Sequence, residues 1–346
     1  MKKIFLLSSL SALLLMGCEN PIHMETKVHE DGSLDKTIVL EKTDKMRATN
    51  NMFGISESTG WAVHSTISET KKDSLSKEEP KYNIEFKRSF ASVDEANTEL
   101  NKNLDTLFGI QTTFEKKFRW FYTYIRYSET FRPIDRFKKI NPENYFNQED
   151  KAFINRLPGE GTAISKADSL FLNQLNEKIY DKYANDALFN EFYQILREVV
   201  QQNTSDKKWL DKLASKKDFI YKKLNDWDGD PQFASNLADS LGIPLPKEKA
   251  AEDFKRLSKD INSRVGFMSF ARDAKYTNII EMPWPVINNN ADSITSNKLY
   301  YKPLTTKFAI QPYTMFAESR KLNLWAVIVS GIIVVGTMLL LIRKRN

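Results

Sequence analysis

Cysteine and histidine are nearly absent from this chain: its 346 residues include one cysteine, Cys18, and three histidines, His23, His29 and His64. A single thiol cannot form a disulfide within the chain, and it excludes a cysteine-based zinc site. Phosphate-cradle chemistry is missing too. Pro158-Gly159-Glu160-Gly161-Thr162 is glycine-rich but lacks the Gly-Lys-Ser/Thr ending whose lysine and hydroxyl reach phosphate and magnesium. No nucleophile motif surrounds any serine, and His64 has no catalytic neighbourhood in sequence.

The remaining clusters of polar residues read as ordinary surface. Asp226, Asp228 and Asp230 alternate like the start of a calcium loop, but Pro231 stands where that loop needs Gly and Leu237 where it needs a bidentate Glu. A solvated turn between helices is the reading. His23 and His29 share strand parity yet lie six residues apart, too far to chelate as neighbours, so both are expected at the surface. Glu78-Glu79 and Glu149-Asp150 are expected on solvated faces. The expectation is therefore no catalytic residue, no metal and no cofactor.

Charge of one sign is also scarce once its location is considered. The net charge is +6, from 51 basic and 45 acidic residues. Lys2 and Lys3 lie at the N-terminus, and Arg343, Lys344 and Arg345 at the C-terminus; without them 46 basic residues face 45 acidic ones. A chain so nearly neutral between its ends has no basic footprint for nucleic acid, and no nucleic-acid partner is expected.

What is present sits first at the two ends. Lys2 and Lys3 precede a short apolar stretch, Ile4 to Leu15, and then the small residue Gly17, the three parts of a secretory leader. Leu15-Met16-Gly17-Cys18 resembles the lipobox of bacterial lipoproteins, with Met16 where Ala or Ser is commoner. The resemblance implies cleavage after Gly17, lipidation of Cys18 and acyl groups such as palmitate on the mature N-terminus. At the other end Leu324 to Ile342 is an uncharged run of 19 residues; as a helix it reaches roughly 28 Å, close to the hydrocarbon thickness of a bilayer. Trp325 marks one interface, and Arg343, Lys344 and Arg345 close the other, favouring a cytoplasmic C-terminus. Gly331 and Gly336 are five apart, not the spacing of a close-packed helix pair.

Between the ends, period-two text predicts strands at Met24–His29 and Leu34–Leu40, joined by the turn signal Asp31-Gly32, and further strands at Trp61–Ile67 and Tyr82–Phe90. Ser92 and Glu95 have capping-box spacing and open a helix expected to reach Leu107. Phe114 to Phe131 carries aromatics on both parities and is expected as a central strand covered on both faces, with a lipid-facing or ligand-stacking surface as the alternative. From 141 to 266 the apolar spacing turns helical, with a break expected near Asn185-Asp186. Strands return at Tyr276–Met282, Ser293–Tyr301 and Thr306–Gln311, and the chain then leads through Tyr313 to Ser319 towards the apolar run.

The early Asp31-Gly32-Ser33 hairpin, Phe90-x-Ser92, Met282-Pro283-Trp284-Pro285-Val286, Asn290-Ala291-Asp292 and Leu299-Tyr300-Tyr301 together resemble the LppM-type domain of anchored bacterial lipoproteins. Trp284 stands where that group usually has Gly, and the helical stretch has no counterpart in it. The resemblance covers about 22–135 and 276–342. It implies an extracytoplasmic domain capable of lipid contact, with no catalytic residues to carry over.

The expected fold is α+β: an antiparallel sheet with a packed helix, a large helical insertion and one C-terminal transmembrane helix. The expected organisation is a signal peptide at 1–17, a membrane-proximal α+β domain at 18–140 and 267–320, the insertion at 141–266, the membrane helix at 324–342 and a cytoplasmic tail at 343–346. Function is expected to be non-enzymatic: an envelope lipoprotein anchored at both ends in the cytoplasmic membrane, its ectodomain on the periplasmic side. There it binds a protein partner, besides the membrane lipid that holds Cys18 and the helix. The alternatives are a lipid- or hydrophobic-ligand-binding protein and, third, an unrecognised hydrolase.

Overall fold

Alternating burial along the first two strands sets the frame. In the computed structural model, which describes residues 20–44, 50–68, 81–225, 227, 230 and 232–345, β1 (Asn20–Val28) turns Ile22, Met24, Thr26 and Val28 inward, and β2 (Leu34–Thr43) does the same with Leu34, Ile38 and Leu40. Their hairpin pairs Val28 with Leu34. Its turn needs Gly32, whose φ of +94° is a backbone state that other residues adopt with strain. The contacts divide the chain into two units, a sheet unit (20–133, 157–162 and from 273 onward) and a helical unit (134–156 and 163–272).

The sheet unit holds two sheets rather than one. The larger runs β3 (Ala62–Ile67), β4 (Tyr82–Phe90), β2, β1, β7 (Ala274–Glu281), β10 (Lys298–Tyr301) and β9 (Ser293–Thr295) in spatial order. Within it β1 and β7 pair in parallel, Met24 opposite Asn278, because β7 re-enters beside β1 only after the whole helical unit has been threaded. The smaller sheet is antiparallel in the order β5 (Ile110–Arg119), β6 (Tyr122–Phe131), β11 (Tyr313–Leu322), β8 (Val286–Asn289). Inward faces of the two sheets share a core in which Phe108, Phe131, Tyr276 and Phe308 lie with ring centroids 5.1–6.2 Å apart. The helix α1 (Val93–Leu100) starts where capping predicted: the Ser92 hydroxyl accepts from Glu95 N at 3.3 Å, and the Glu95 carboxylate accepts from Ala91 N at 2.9 Å.

Several expected elements end elsewhere. The helix stops at Leu100 instead of Leu107, since Asn101 turns the chain by donating to Asn97 O and Ile110 O, and Phe108 then enters the aromatic core. Phe114–Phe131 is not one covered strand but the β5–β6 hairpin, turning at Trp120-Phe121. Thr306–Gln311 contains a 3-10 turn (Thr305–Phe308) that drives Phe308 inward, and the strand follows as β11.

In the helical unit, α2 (Gln148–Arg156), α3 (Lys166–Asn176), α4 (Ala184–Asn203), α5 (Lys208–Ser215), α6 (Lys217–Asn225), α7 (Phe233–Ser240) and α8 (Lys247–Asp273) follow one another. The break expected at Asn185 falls one turn earlier, where Glu177–Tyr183 is wound as a π-helix between α3 and α4. Phe192, Leu196 and Val199 of α4 meet Leu237 of α7 and Phe254 and Ile261 of α8 in the core. A cavity of about 10 Å³ remains among Leu196, Val199, Leu213, Leu237 and Ile243, no larger than one water-sized probe sphere. Arg264 of α8 donates to both carboxylate oxygens of the buried Glu191 on α4, at 3.2 and 3.0 Å.

Candidate functional site

The last helix, α9 (Leu324–Arg345), follows β11 after one residue, Asn323. It is long and apolar enough to cross a membrane, and only 6% of its apolar window is buried. Leu324, Trp325 and Ile342 are exposed, as are Arg343, Lys344 and Arg345 at its end. A core helix of a soluble domain would bury one face against its neighbours; here Ala326 alone is fully buried. Thr337 returns its hydroxyl to Ile333 O and Val334 O, at 2.9 and 2.8 Å, so this polar group is satisfied within the helix. By length, apolarity and exposure α9 fits a membrane-associated chain.

Asn323 fastens this helix to the smaller sheet. Its backbone N–H donates to Phe121 O at 2.8 Å, and its side-chain amide donates to Arg119 O and Trp120 O at 3.0 and 3.2 Å. Its side-chain oxygen accepts from the Thr123 hydroxyl at 2.9 Å, while its carbonyl accepts from Ala326 N and Val327 N in the first turn of α9. One residue thus closes the hairpin turn and starts the helix.

Four aromatic residues collect around that joint. Phe118 stacks on Trp325 with centroids 6.0 Å apart and planes 7° from parallel, and Trp120 meets Trp325 edge-on at 5.3 Å. The Trp120 indole N–H donates to Ser330 Oγ at 2.9 Å, and Phe121 completes the hairpin tip. Phe118, Trp120, Phe121 and Trp325 nevertheless remain 59%, 47%, 45% and 50% exposed. Of the two readings of this aromatic text, the covered strand is overturned for these residues, which sit beyond the covered part of the sheet.

Higher on the same unit, Trp284 is buried where the expected hairpin motif would have Gly. Its indole N–H donates to Glu30 of the β1–β2 turn, and the ammonium groups of Lys116 and Lys321 lie 5.9 and 5.6 Å from its ring. The Trp284 hydrogen bond, joined by Lys321 and Lys116, holds the Glu30 carboxyl below its ordinary range.

A second cluster lies wholly in the core between the sheets. Lys36 and Glu129 are 1% and 0% exposed and form an ion pair at 2.7 Å. Glu129 Oε1 also accepts from the hydroxyls of Thr26 and Tyr127, and Oε2 from the Asn278 amide at 3.0 Å. Burial pushes the Glu129 carboxyl up, but the Lys36 charge and these hydrogen bonds outweigh it, leaving the group below its ordinary range. Burial, with the Glu129 charge added, pushes the Tyr127 phenol well up. No sequence motif marks Thr26, Lys36, Glu129 or Asn278, and Tyr127 is marked only as an aromatic on one parity of the Phe114–Phe131 stretch. Their signal was parity: Lys36 falls in step with Leu34 and Ile38, and Glu129 with Tyr127 and Phe131, so each is a charge on a buried face.

The histidines stand at the surface. His23 lies 3.2 Å from Glu41, and His29 lies 2.8 Å from Asp35, whose other oxygen accepts from Ser89 at 2.6 Å. Here the carboxylate sits between histidine and serine, whereas nucleophilic catalysis needs the imidazole in the middle to take the serine proton. Among the described residues no group of three or more His, Cys, Asp or Glu could hold a metal ion. Gly17, Cys18, Asp226, Asp228 and Pro231 lie outside the described residues.

No protein-family model matches this chain, and no curated protein matches it. A solved structure, the NMR structure of the folded domain of the Mycobacterium tuberculosis LppM protein, is similar at 10% sequence identity with a TM-score of 0.27. The likeness covers 88% of this chain and 93% of that one. It is a weak resemblance, and at that score it carries no argument about activity.

Proposed function

We propose that this chain is a non-enzymatic cell-envelope lipoprotein, held in the cytoplasmic membrane by acyl groups on Cys18 and by α9. Its two folded units stand on the periplasmic face as a partner-binding module. The observation that carries the reading is an exposed helix, uncharged from Leu324 to Ile342, joined to a β-sheet through one hydrogen-bonded residue, Asn323. A helix so joined cannot leave the bilayer without pulling on the sheet. Arg320 and Lys321 flank α9 on one side and Arg343, Lys344 and Arg345 on the other, so the charge difference across it is small. The leader-like N-terminus therefore supplies most of the argument for orientation.

A protein in the same membrane is the proposed partner, since both tethers hold the units near the bilayer surface. The rival role is lipid handling, with the sheet and the insertion enclosing an acyl chain.

The test exchanges residues 1–17 for an ordinary cleavable leader and adds Cys18→Ser. That variant should lose acyl label yet stay in the membrane fraction through alkaline wash. Full release into the soluble fraction would mean that α9 is not an anchor. Mild crosslinking and pull-down of the acylated chain that returned the bait alone would overturn the partner role.

A further inference from the structure

We propose that the tip of the β5–β6 hairpin enters the outer interface of the bilayer that α9 crosses, as a second and non-helical membrane contact; this rests on the reading of α9 as a span. Trp120 and Phe121 occupy the two turn positions, with Phe118 and Trp325 beside them, all about half exposed. Clustered exposed aromatics are unfavourable in water and favoured at the headgroup level, where an indole keeps a polar edge and an apolar body in matching surroundings.

The depth follows from one hydrogen bond. Trp120 donates to Ser330, six residues beyond Leu324, which at about 1.5 Å per residue lies roughly 9 Å along the helix axis. If the apolar run from Leu324 fills the hydrocarbon, the Trp120 indole lies level with its second turn. Interfacial elements bury their apolar faces by roughly 5–10 Å, so the tip is at an interfacial depth.

A turn that reaches the acyl boundary is favoured when its backbone carbonyls are paired within the protein. Three carbonyls of the tip are paired in this way: those of Arg119, Trp120 and Phe121 all accept hydrogen bonds from Asn323. An ordinary solvent-facing hairpin has no need of such coverage. Just above the tip, Lys117 and Arg119 on β5 and Arg320 on β11 share the outward face with Tyr122 and Tyr124, and the Arg320 guanidinium lies 4.6 Å from the Tyr122 ring centroid. Cations one to three strand residues above the aromatics stand roughly 3–10 Å higher, where lipid phosphates lie. Lys117 is paired with Glu115 at 2.7 Å, so the surface presents apolar rings to the acyl boundary and the guanidinium groups of Arg119 and Arg320 to the phosphate layer, and phospholipid is the occupant it fits.

The test uses the mature chain with Cys18→Ser, so that an introduced cysteine is the sole thiol, reconstituted in vesicles of phosphatidylethanolamine and phosphatidylglycerol. Spin labels are placed by Trp120→Cys, by Phe121→Cys, which keeps the Trp120 hydrogen bond, by Thr113→Cys on the far half of β5, and by Ile333→Cys within α9. Power saturation with oxygen and a nickel chelate then reads depth. Labels at 120, 121 and 333 should favour oxygen, and the label at 113 should favour nickel. Labels at 120 and 121 that favour nickel, with 333 still favouring oxygen, would overturn the hairpin contact and leave the span intact. A tip shielded from both reagents would overturn it as well, since protein would then cover the rings. Nickel access at 333 would overturn the span itself.

Discussion

Replacing Lys36 by methionine removes the cation paired with Glu129, a carboxylate that is 0% exposed, and the consequence can be worked from the geometry. Glu129 keeps three hydrogen bonds, from Thr26, Tyr127 and Asn278, but loses the charge that offsets its desolvation. Breaking one side of a buried pair costs about 3–5 kcal/mol. For a unit of this size that lowers the melting temperature by roughly 6–20 °C, at about 2–4 °C per kcal/mol. Lys36→Met combined with Glu129→Gln should recover much of the loss, because a neutral amide still accepts from Tyr127 and Thr26 and leaves no buried charge. The two changes should then be coupled by about 1 kcal/mol or more. The pH dependence adds a sign. In the native protein the Glu129 carboxyl lies below its ordinary value, about 4.3. Its contribution is therefore complete above that pH and declines as pH falls through the folded value. Without Lys36, burial is left to push the carboxyl up, so the stability of the variant falls as pH rises, and its deficit should be smaller near pH 5 than near pH 8. The assay is thermal unfolding of the detergent-extracted chain, followed by near-ultraviolet circular dichroism from the buried tyrosines and phenylalanines. A shift below about 2 °C, or a double variant less stable than the single one, would refute the buried-charge argument.

Two further substitutions probe the membrane joint. Asn323→Ala removes three side-chain hydrogen bonds, two to the turn carbonyls of Arg119 and Trp120 and one from the Thr123 hydroxyl; at about 0.5–1.5 kcal/mol each, hydrogen-exchange protection across 119–123 should fall roughly 10- to 2,000-fold, and unchanged protection would show that the side chain does not hold the joint. Val334→Lys in the non-acylated mature chain places a charge midway along α9 at a cost of about 2.5–3.5 kcal/mol; it should shift protein towards the soluble fraction, and retention equal to the parent would argue against a transmembrane position.

Much of this architecture was legible because its causes are local. The Asp31-Gly32 turn, the Ser92–Glu95 cap and the 19-residue apolar run each depend on a few neighbouring residues. Period-two text located β1, β2, β4 and β7, and the change to helical spacing marked the insertion. The hairpin at Trp120-Phe121 escaped detection for a physical reason. A two-residue turn is usually read from Asn-Gly and a positive φ, whereas here two aromatic residues occupy it and, outside glycine, only Lys42 and Ser296 among the described residues have positive φ.

The division of the strands into two sheets, the parallel pairing of β1 with β7 and the burial of Lys36 against Glu129 rest on residues 93 to more than 250 positions apart. Pairing at that separation is chosen by the total burial and hydrogen bonding of the folded unit, and no local pattern encodes it. The same holds for Asn323: in the sequence it is a polar residue ahead of an apolar run, and in the fold it satisfies a turn 200 residues away. Sequence alone determined that the chain carries an apolar helix at its end. Tertiary structure decided that this helix continues from a sheet and that exposed aromatic rings from a distant hairpin stand beside it.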